Sequence, residues 1–329
     1  MPADKLKTPF TPMEAVSVDA IPEGDNWQYE PKWDGFRCLA FRDGDSVILQ
    51  SKSEKLLTTA FPEIVDAVKS LAPASFVLDG ELVISVDGKL SFDHLLDRLT
   101  HSASRARKLA AENPAIMFVF DLLQDEEGLL TGQPLSERRE RLERLAGAFT
   151  ESKGKIQLSP ATREIAVARK WFNLVGDSMD GIVAKRIDLP YESGTSRRVQ
   201  KIKKLRTIDC VVGGVLVKDG AVSHLLLGLY DDDGLLNFVG SAPLRKLDGR
   251  KLAGRLNELI DEPGFTGKKP GEVRTQFLHR TGEWQPVRPE LVAEIQFDHF
   301  TAGRFRHGSK FVRWRPDKRA DECTGAGTR

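Results

Sequence analysis

The sequence predicts an α+β fold in two domains, and three observations predict it. Between Phe36 and Leu123, runs that alternate apolar and polar residues are joined by Asp-Gly turns, the pattern of antiparallel hairpins. Runs with helical apolar spacing are interleaved with them as far as about Gly176. From about residue 206 strands follow one another at short spacing, with a single helical stretch from Lys251 to Ile260. A first domain of mainly antiparallel sheets with flanking helices is expected over residues 1–205, a small antiparallel barrel or sandwich over 206–318, and a flexible tail over 319–329.

Residues 1–26 are polar and Pro-rich and read as a lead-in arm. FRCLAF and SVILQS form a hairpin around Asp43-Gly44-Asp45, because Gly44 tolerates positive φ. FPEIVDAVKSLA places Phe61, Ile64, Val65, Val68 and Leu71 on one helical face. SFVLDGELVIS and KLSF predict a second hairpin around Asp87-Gly88, with Glu81 in its first strand. Residues 91–113 read as helical, and PAIMFVFDLL (114–123) as a buried strand containing Phe120-Asp121. Ser136 is expected to cap a charged helix carrying Leu142 and Leu145. Thr162 is expected to cap one that carries Ile165, Ala168, Trp171 and Phe172 and stops at Gly176. SMDGIVAKR and the strongly basic RRVQKIKK then read as short strands. In the second domain DCVVGGVLV, HLLLGLY, LLNFVG, AEIQFDHF and KFVRWR are strands, with turns at Asp219-Gly220 and Asp233-Gly234.

Composition narrows the function. Of 329 residues, 29% are charged and 40% hydrophobic, an ordinary soluble balance. Net charge is only +1, so nucleic-acid binding would have to rest on local clusters of Lys and Arg. Cys38, Cys210 and Cys323 fit neither a disulfide framework nor a C-x-x-C zinc site. The N-terminal stretch has no apolar signal core, and no run approaches the ~20 apolar residues of a membrane span. A cytoplasmic protein without membrane contact is expected.

The chemistry concentrates in EPKWDGFR, from Glu30 to Arg37. A lysine amine attacks phosphorus only when neutral, so a nucleophilic Lys32 needs nearby cations or burial. Gly35 removes a side chain where a phosphate or sugar would approach the backbone, and Arg37 can donate in a fork to ribose or phosphate oxygens. Alone, the stretch reads more readily as a surface strand before a turn. It is followed in order by Asp79-Gly80-Glu81, Phe120-Asp121, Asp180-Gly181-Ile182-Val183-Ala184-Lys185, Lys201-Ile202-Lys203 and Arg313-Trp314-Arg315-Pro316-Asp317-Lys318. In this order and at these intervals the series resembles the motifs of the covalent nucleotidyltransferases. Within that superfamily the chain is most similar to ATP-dependent DNA ligases of the compact bacterial ligase C group, on AKRIDLPY, DCVVGG, LLLGLYDDDG, RFRH and FVRWRPDK.

The resemblance runs from about residue 9 to residue 323 and implies a nucleotidyltransferase (adenylation) domain followed by an OB-fold domain, with a hinge near Arg206 to Asp209. It implies a monomeric enzyme that uses ATP and Mg²⁺ or Mn²⁺ to seal nicked double-stranded DNA through lysyl-AMP in DNA repair, with DNA-repair polymerases or end-binding proteins as partners. Lys32 would be the nucleophile, and Glu30, Arg37, Lys52, Glu81, Phe120, Val183, Lys201, Lys203, Arg315 and Lys318 would bind ATP. Within that set Glu30 would accept from the adenine amino group and Phe120 would stack on adenine. Lys201 and Lys203 would neutralise phosphate and keep Lys32 deprotonated. Glu81 and Asp180 would bind the metal, unless Glu81 bonds the ribose instead. Arg315 and Lys318 would reach the ATP phosphates when the OB domain closes. Arg197, Arg198, Lys204, Arg206, Arg304 and Arg306 would hold the DNA backbone.

Each residue also has a plainer reading: a surface carboxylate for Glu30, core packing for Phe120, and a solvated face for the basic runs. Three positions depart from the family pattern. Lys52 replaces an arginine and loses its planar fork, Asp180 replaces a glutamate and is shorter by one methylene, and Val199 replaces a tryptophan. The alternatives are an RNA ligase, an RNA capping guanylyltransferase, or a nick-binding protein that has lost catalysis. The RWRPDK ending argues against many RNA ligases, Glu30 for adenine over guanine, and the intact Lys32, Glu81, Lys201 and Lys203 against lost catalysis.

Overall fold

The computed structural model describes residues 5–99, 102–175, 179–254, 256–260, 264–272, 284–301, 303–305 and 308–325. The chain divides into two compact units, Met1–Lys204 and Leu205–Arg329.

The first unit contains β1 (Met13–Ser17), β2 (Trp27–Lys32), β3 (Phe36–Asp43), β4 (Ser46–Ser51), α1 (Pro62–Ser70), β5 (Ser75–Val86), β6 (Lys89–Leu90), α2 (Phe92–Leu99), α3 (Ala103–Glu112), β7 (Ala115–Asp125), β8 (Gly128–Leu129), α4 (Leu135–Leu145), β9 (Ile156–Leu158), α5 (Ile165–Asn173), β10 (Gly181–Arg186) and β11 (Gly194–Lys203). They build a seven-stranded sheet along β4-β3-β5-β7-β8, with β6 on β5 and β9 on β7, and a four-stranded sheet in the order β1-β11-β10-β2. Among the described residues of this unit, β1/β11 and β7/β9 are the strand pairs that run parallel.

Strand alternation decides which side chains meet the core. Cys38, Ala40, Leu78, Leu82, Met117 and Val119 face α1, burying Phe61, Ile64, Val68 and Leu71 as its helical spacing predicts. The opposite face of the same strands carries Arg37, Asp79 and Glu81. In the four-stranded sheet, Tyr29, Ile182, Ala184 and Ile202 pack on Ala168 and Trp171 of α5. Glu30, Lys32, Val183, Lys185, Lys201 and Lys203 alternate with them and take the other face. A further cluster joins the inner faces of the two sheets through Leu39, Phe41, Val77 and Leu123 of one and Met13 and Val199 of the other, with Leu6 and Phe10 of the arm against it. Where this apolar filling ends, charged residues line the space between the sheets.

The second unit contains β12 (Arg206–Lys218), β13 (Ala221–Tyr230), β14 (Leu236–Pro243), α6 (Lys246–Ala253), α7 (Leu256–Leu259), β15 (Gln285–Pro286), β16 (Val292–Phe297), β17 (Phe300–Thr301), β18 (Arg304–Phe305) and β19 (Lys310–Trp314). Its sheet runs β14-β13-β12-β16-β19, with β15 on β12, and β17 pairs with β18. Val211, Leu225, Leu227, Phe238, Phe265 and Ile295 are buried in its own core.

The structure corrects several expectations. Arg206 to Asp209 are not a hinge, because they lie inside β12 and pair with Phe297 to Glu294 of β16; the unpaired residues between strands are Lys204 and Leu205. The tail is docked through residue 325: Ala320–Glu322 form a 3-10 turn, and the small apolar Cys323 is buried in the second core. The Tyr230 N–H donates to the Cys323 carbonyl at 2.9 Å. Ser136 lies inside α4, whose N-cap is Pro134. Glu164, not Thr162, is the N-cap of α5, and Thr162 Oγ1 accepts from the Glu164 N–H at 3.1 Å in the turn before it. Gly176 falls outside the described residues. The second hairpin returns only at Lys89–Leu90 before α2 begins, and the expected helix at Lys251 starts earlier, at Lys246. Among the described residues, no helix is long and apolar enough to cross a membrane.

Candidate active site

Lys32 ends β2 and Lys203 ends β11, and Gly181, the first residue of β10, pairs with both. Asp180, just before it, donates its amide N–H to the Lys32 carbonyl at 2.8 Å. Its buried carboxylate accepts from Lys32 Nζ at 2.6 Å on Oδ2, with Lys203 Nζ 3.0 Å from the same oxygen. Gly181 makes this approach feasible, since its φ is +147° and a Cβ there would stand 2.0 Å from the Ile202 carbonyl oxygen. Burial alone would raise the Asp180 pKa, but Lys32 and Lys203 outweigh it and hold the carboxyl below its ordinary range. Lys201 shares the face, and burial followed by the charges of Lys32 and Lys203 lowers its pKa. The two basic-strand lysines therefore stand among other charged groups on one face of the sheet rather than alone on a solvated surface.

Glu30 is 2% exposed, which removes the surface-carboxylate reading. Gln28 Nε2 donates to its Oε1 at 2.8 Å, and Lys185 Nζ lies 2.8 Å from Oε2. Val183 lies opposite both Glu30 and Lys201. Lys185, absent from the expected site, also lies 4.1 Å from the centre of the Phe120 ring, and the Arg37 guanidinium lies 4.6 Å from it. Phe120 is the extra residue of a β-bulge, because Asp79 pairs with Asp121 and Gly80 with Val119. Phe118, opposite Glu81, is a second aromatic on this side; it stacks on Trp33 with ring centres 3.9 Å apart and planes 6° apart. Its sequence signal was its place two residues before Phe120.

Arg37 turns its fork onto buried Asp79, with Nη2 donating to Oδ2 at 2.6 Å and Nε to Oδ1 at 2.5 Å. Burial works against the guanidinium charge, and Asp79 more than compensates. Gly35 serves a nearer neighbour than a nucleotide: a Cβ there would lie 2.0 Å from the Leu82 carbonyl oxygen. Glu81 is pushed up to about 7, first by burial, with Lys32 and Arg37 opposing and Asp34 and Asp79 adding to the rise. Lys52 is exposed and pairs with Glu14 at 2.6 Å. Among the described residues no group of three or more His, Cys, Asp or Glu could hold a metal ion by itself. Glu81 and Asp180 fit a divalent cation only if phosphate oxygens and waters complete its shell, the usual situation for Mg²⁺.

In the second unit Arg315 Nη1 donates to Asp209 at 3.0 and 3.1 Å, while its Nε and Nη2 donate to Asp317 at 3.0 and 2.9 Å. Lys318 Nζ is 3.4 Å from Glu322. Of the basic residues expected on DNA, Arg197 is exposed on β11 and Arg206 begins β12. Arg198 lies 3.2 Å from Glu192, Lys204 donates to the Asn173 carbonyl at 3.4 Å, and Arg304 is on β18. Arg306 lies outside the described residues.

Two facing, mainly antiparallel sheets with lysines gathered on the inner face of one, continued in the chain by a small antiparallel β domain, define the class: a nucleotidyltransferase domain joined to an OB-fold domain. Residues 12–205 match the ATP dependent DNA ligase domain and residues 218–318 the ATP dependent DNA ligase C terminal region. The chain belongs to the ATP-dependent DNA ligases, in the ligase C group. It is 39% identical to DNA ligase C of Mycobacterium tuberculosis, over 97% of this chain and 93% of that protein. It is 40% identical to DNA ligase C2 of Mycolicibacterium smegmatis, over 97% and 94%. The solved structure of mycobacterial DNA ligase D complexed with ATP and MES is 27% identical and covers 96% of this chain and 98% of its own, with a TM-score of 0.51.

Proposed function

We propose that Lys32 is the residue through which this ATP-dependent DNA ligase takes up AMP. Its Nζ attacks the α-phosphorus of ATP, the bond to pyrophosphate breaks, and the amine proton leaves to give a lysyl phosphoramidate. AMP then passes to the 5′-phosphate of a nick, and the 3′-hydroxyl displaces it to close the strand. The observation that carries this reading is the convergence of Lys32 and Lys203 on one buried oxygen of Asp180, at 2.6 and 3.0 Å, with Lys201 beside them. Attack needs the Lys32 lone pair, so the ion pair with Asp180 must open as phosphate enters. Lys201 and Lys203 are the cations placed to take that phosphate charge. Glu30, held by Gln28 and Lys185, is the acceptor for the adenine amino group. Phe120, Phe118 and Val183 supply apolar surface to the base.

Glu81 and Asp180 would hold Mg²⁺ or Mn²⁺, which supplies charge stabilisation at the phosphates. The basic residues Arg197, Arg198, Lys204, Arg206 and Arg304 are proposed backbone contacts for nicked DNA, and binding through them should weaken steeply with salt. With a net charge of +1 the chain has little general attraction for DNA, which favours delivery of nicks by repair polymerases or end-binding proteins. Incubation with ATP followed by intact-mass measurement tests the reading. One added AMP is expected for the wild type and none for Lys32→Ala. An adduct at wild-type level in the variant would remove Lys32 from the chemistry, and no adduct on the wild type would favour a nick-binding protein without catalysis.

A further inference from the structure

Tyr191 lies in the connection between β10 and β11, 112 residues from Asp79 in the chain, yet its hydroxyl donates to Asp79 Oδ2 at 2.8 Å. The same hydroxyl accepts the Met13 N–H at 2.8 Å. Met13 belongs to the four-stranded sheet and Asp79 to the seven-stranded one, so a single oxygen ties the two sheets beside the cleft. Asp79 is fully buried and carries the Arg37 fork; Arg37 Nη2 also donates to the Met13 carbonyl at 3.3 Å. The tyrosine ring is fixed separately, with the Phe10 ring centre at 6.1 Å and the Arg138 guanidinium at 5.6 Å. Burial and the Asp79 charge keep the phenol well above its ordinary pKa, so it stays a donor.

A carboxylate held only by Arg37 would be free to turn together with it about its own side-chain bonds. A second donor on Oδ2, anchored in the other sheet, removes that freedom. We propose that Tyr191 is a positioning residue for Arg37: by fixing Asp79, its hydroxyl sets the plane in which the guanidinium meets the phosphate or ribose oxygens of the nucleotide. This rests on the proposed reading of the site as the one that takes up AMP from ATP, with Arg37 donating to ribose or phosphate oxygens as the family resemblance implies.

The test is a double-mutant cycle in the full-length protein, reading the single-turnover rate of self-adenylation with ATP on the folded fraction. Tyr191→Phe keeps the ring contacts and removes only the hydroxyl. It is expected to slow the rate about tenfold in the wild type, and less than about twofold in an Arg37→Ala background. Arg37→Lys, which keeps the charge without the fork, is a second background with the same expectation. An equal fold-loss in every background would overturn the proposal, because the hydroxyl would then act by a route other than Arg37. A wild-type rate for Tyr191→Phe would overturn it too. A wild-type rate for Arg37→Ala would instead remove the role of Arg37 itself, and with it the premise.

Discussion

Asp180 is the residue on which two roles compete. Its carboxylate neutralises Lys32 and Lys203, and it is also a candidate ligand for the cation that accompanies ATP. Both roles need the charge, so Asp180→Asn should lower self-adenylation by about 10²-fold or more while the fold survives. Asp180→Glu moves the same charge by about one bond length and should be tolerated far better, since a partly hydrated coordination shell adapts. If Asp180 only shaped the turn before Gly181, Asn would serve nearly as well. Rates near wild type for the Asn variant across a Mg²⁺ and Mn²⁺ titration would therefore confine it to that turn. The meeting of Lys32, Asp180 and Lys203 was legible in the sequence as far as their ordered motifs go. Lys185 on Glu30 and Tyr191 on Asp79 were not, because packing rather than chain order brings them together.

At the scale of elements, the apolar and polar alternation read in the sequence matches the strands, and the bulge at Phe120, one of two register shifts between β5 and β7, is where that rule stopped working. An extra residue at Phe120 lets Phe118 and Asp121 both follow β5, and nothing in IMFVFDLL distinguishes that register from an unbroken one. Just beyond the bulge, buried Asp121 receives a bidentate Arg138 from α4, at 2.8 Å on each oxygen. Burial alone would raise the Asp121 pKa, but Arg138 outweighs it and depresses it. A depressed carboxylate contributes stability that is complete above its unfolded value of about 3.9 and is lost as pH falls through the folded value. Asp121→Asn leaves a buried guanidinium without its counter-ion, so it should cost about 3–5 kcal/mol at pH 7. Denaturant unfolding at neutral pH and again below pH ~4 checks this. The gap between variant and wild type should narrow on acidification; a gap independent of pH would show that the pair is not what α4 contributes to β7.

At the scale of the whole molecule, each unit buries its own core, and every residue proposed to touch the reacting phosphate other than Arg315 and Lys318 belongs to the first. The strand spacing and the turn residues change near residue 206 in the sequence, while the docking of the tail was hidden by its polar composition, in which Cys323 is the buried side chain among the described residues. Arg315 is engaged within its own unit by Asp209 and Asp317, so to serve ATP it must exchange carboxylate oxygens for phosphate oxygens. Such an exchange helps only while pyrophosphate is present, that is, in the first step. Arg315→Ala together with Lys318→Ala should therefore slow self-adenylation by about 10²-fold, the scale expected when transition-state charge loses its donors. Closure of a pre-adenylated nick should change less than about fivefold, because pyrophosphate has already left by then. The same substitutions remove a brace from the second unit, so melting is measured alongside to separate loss of fold from loss of phosphate contact. If both assays fall equally while melting stays unchanged, the two cations serve DNA or the later steps, and the division of labour between the units is wrong.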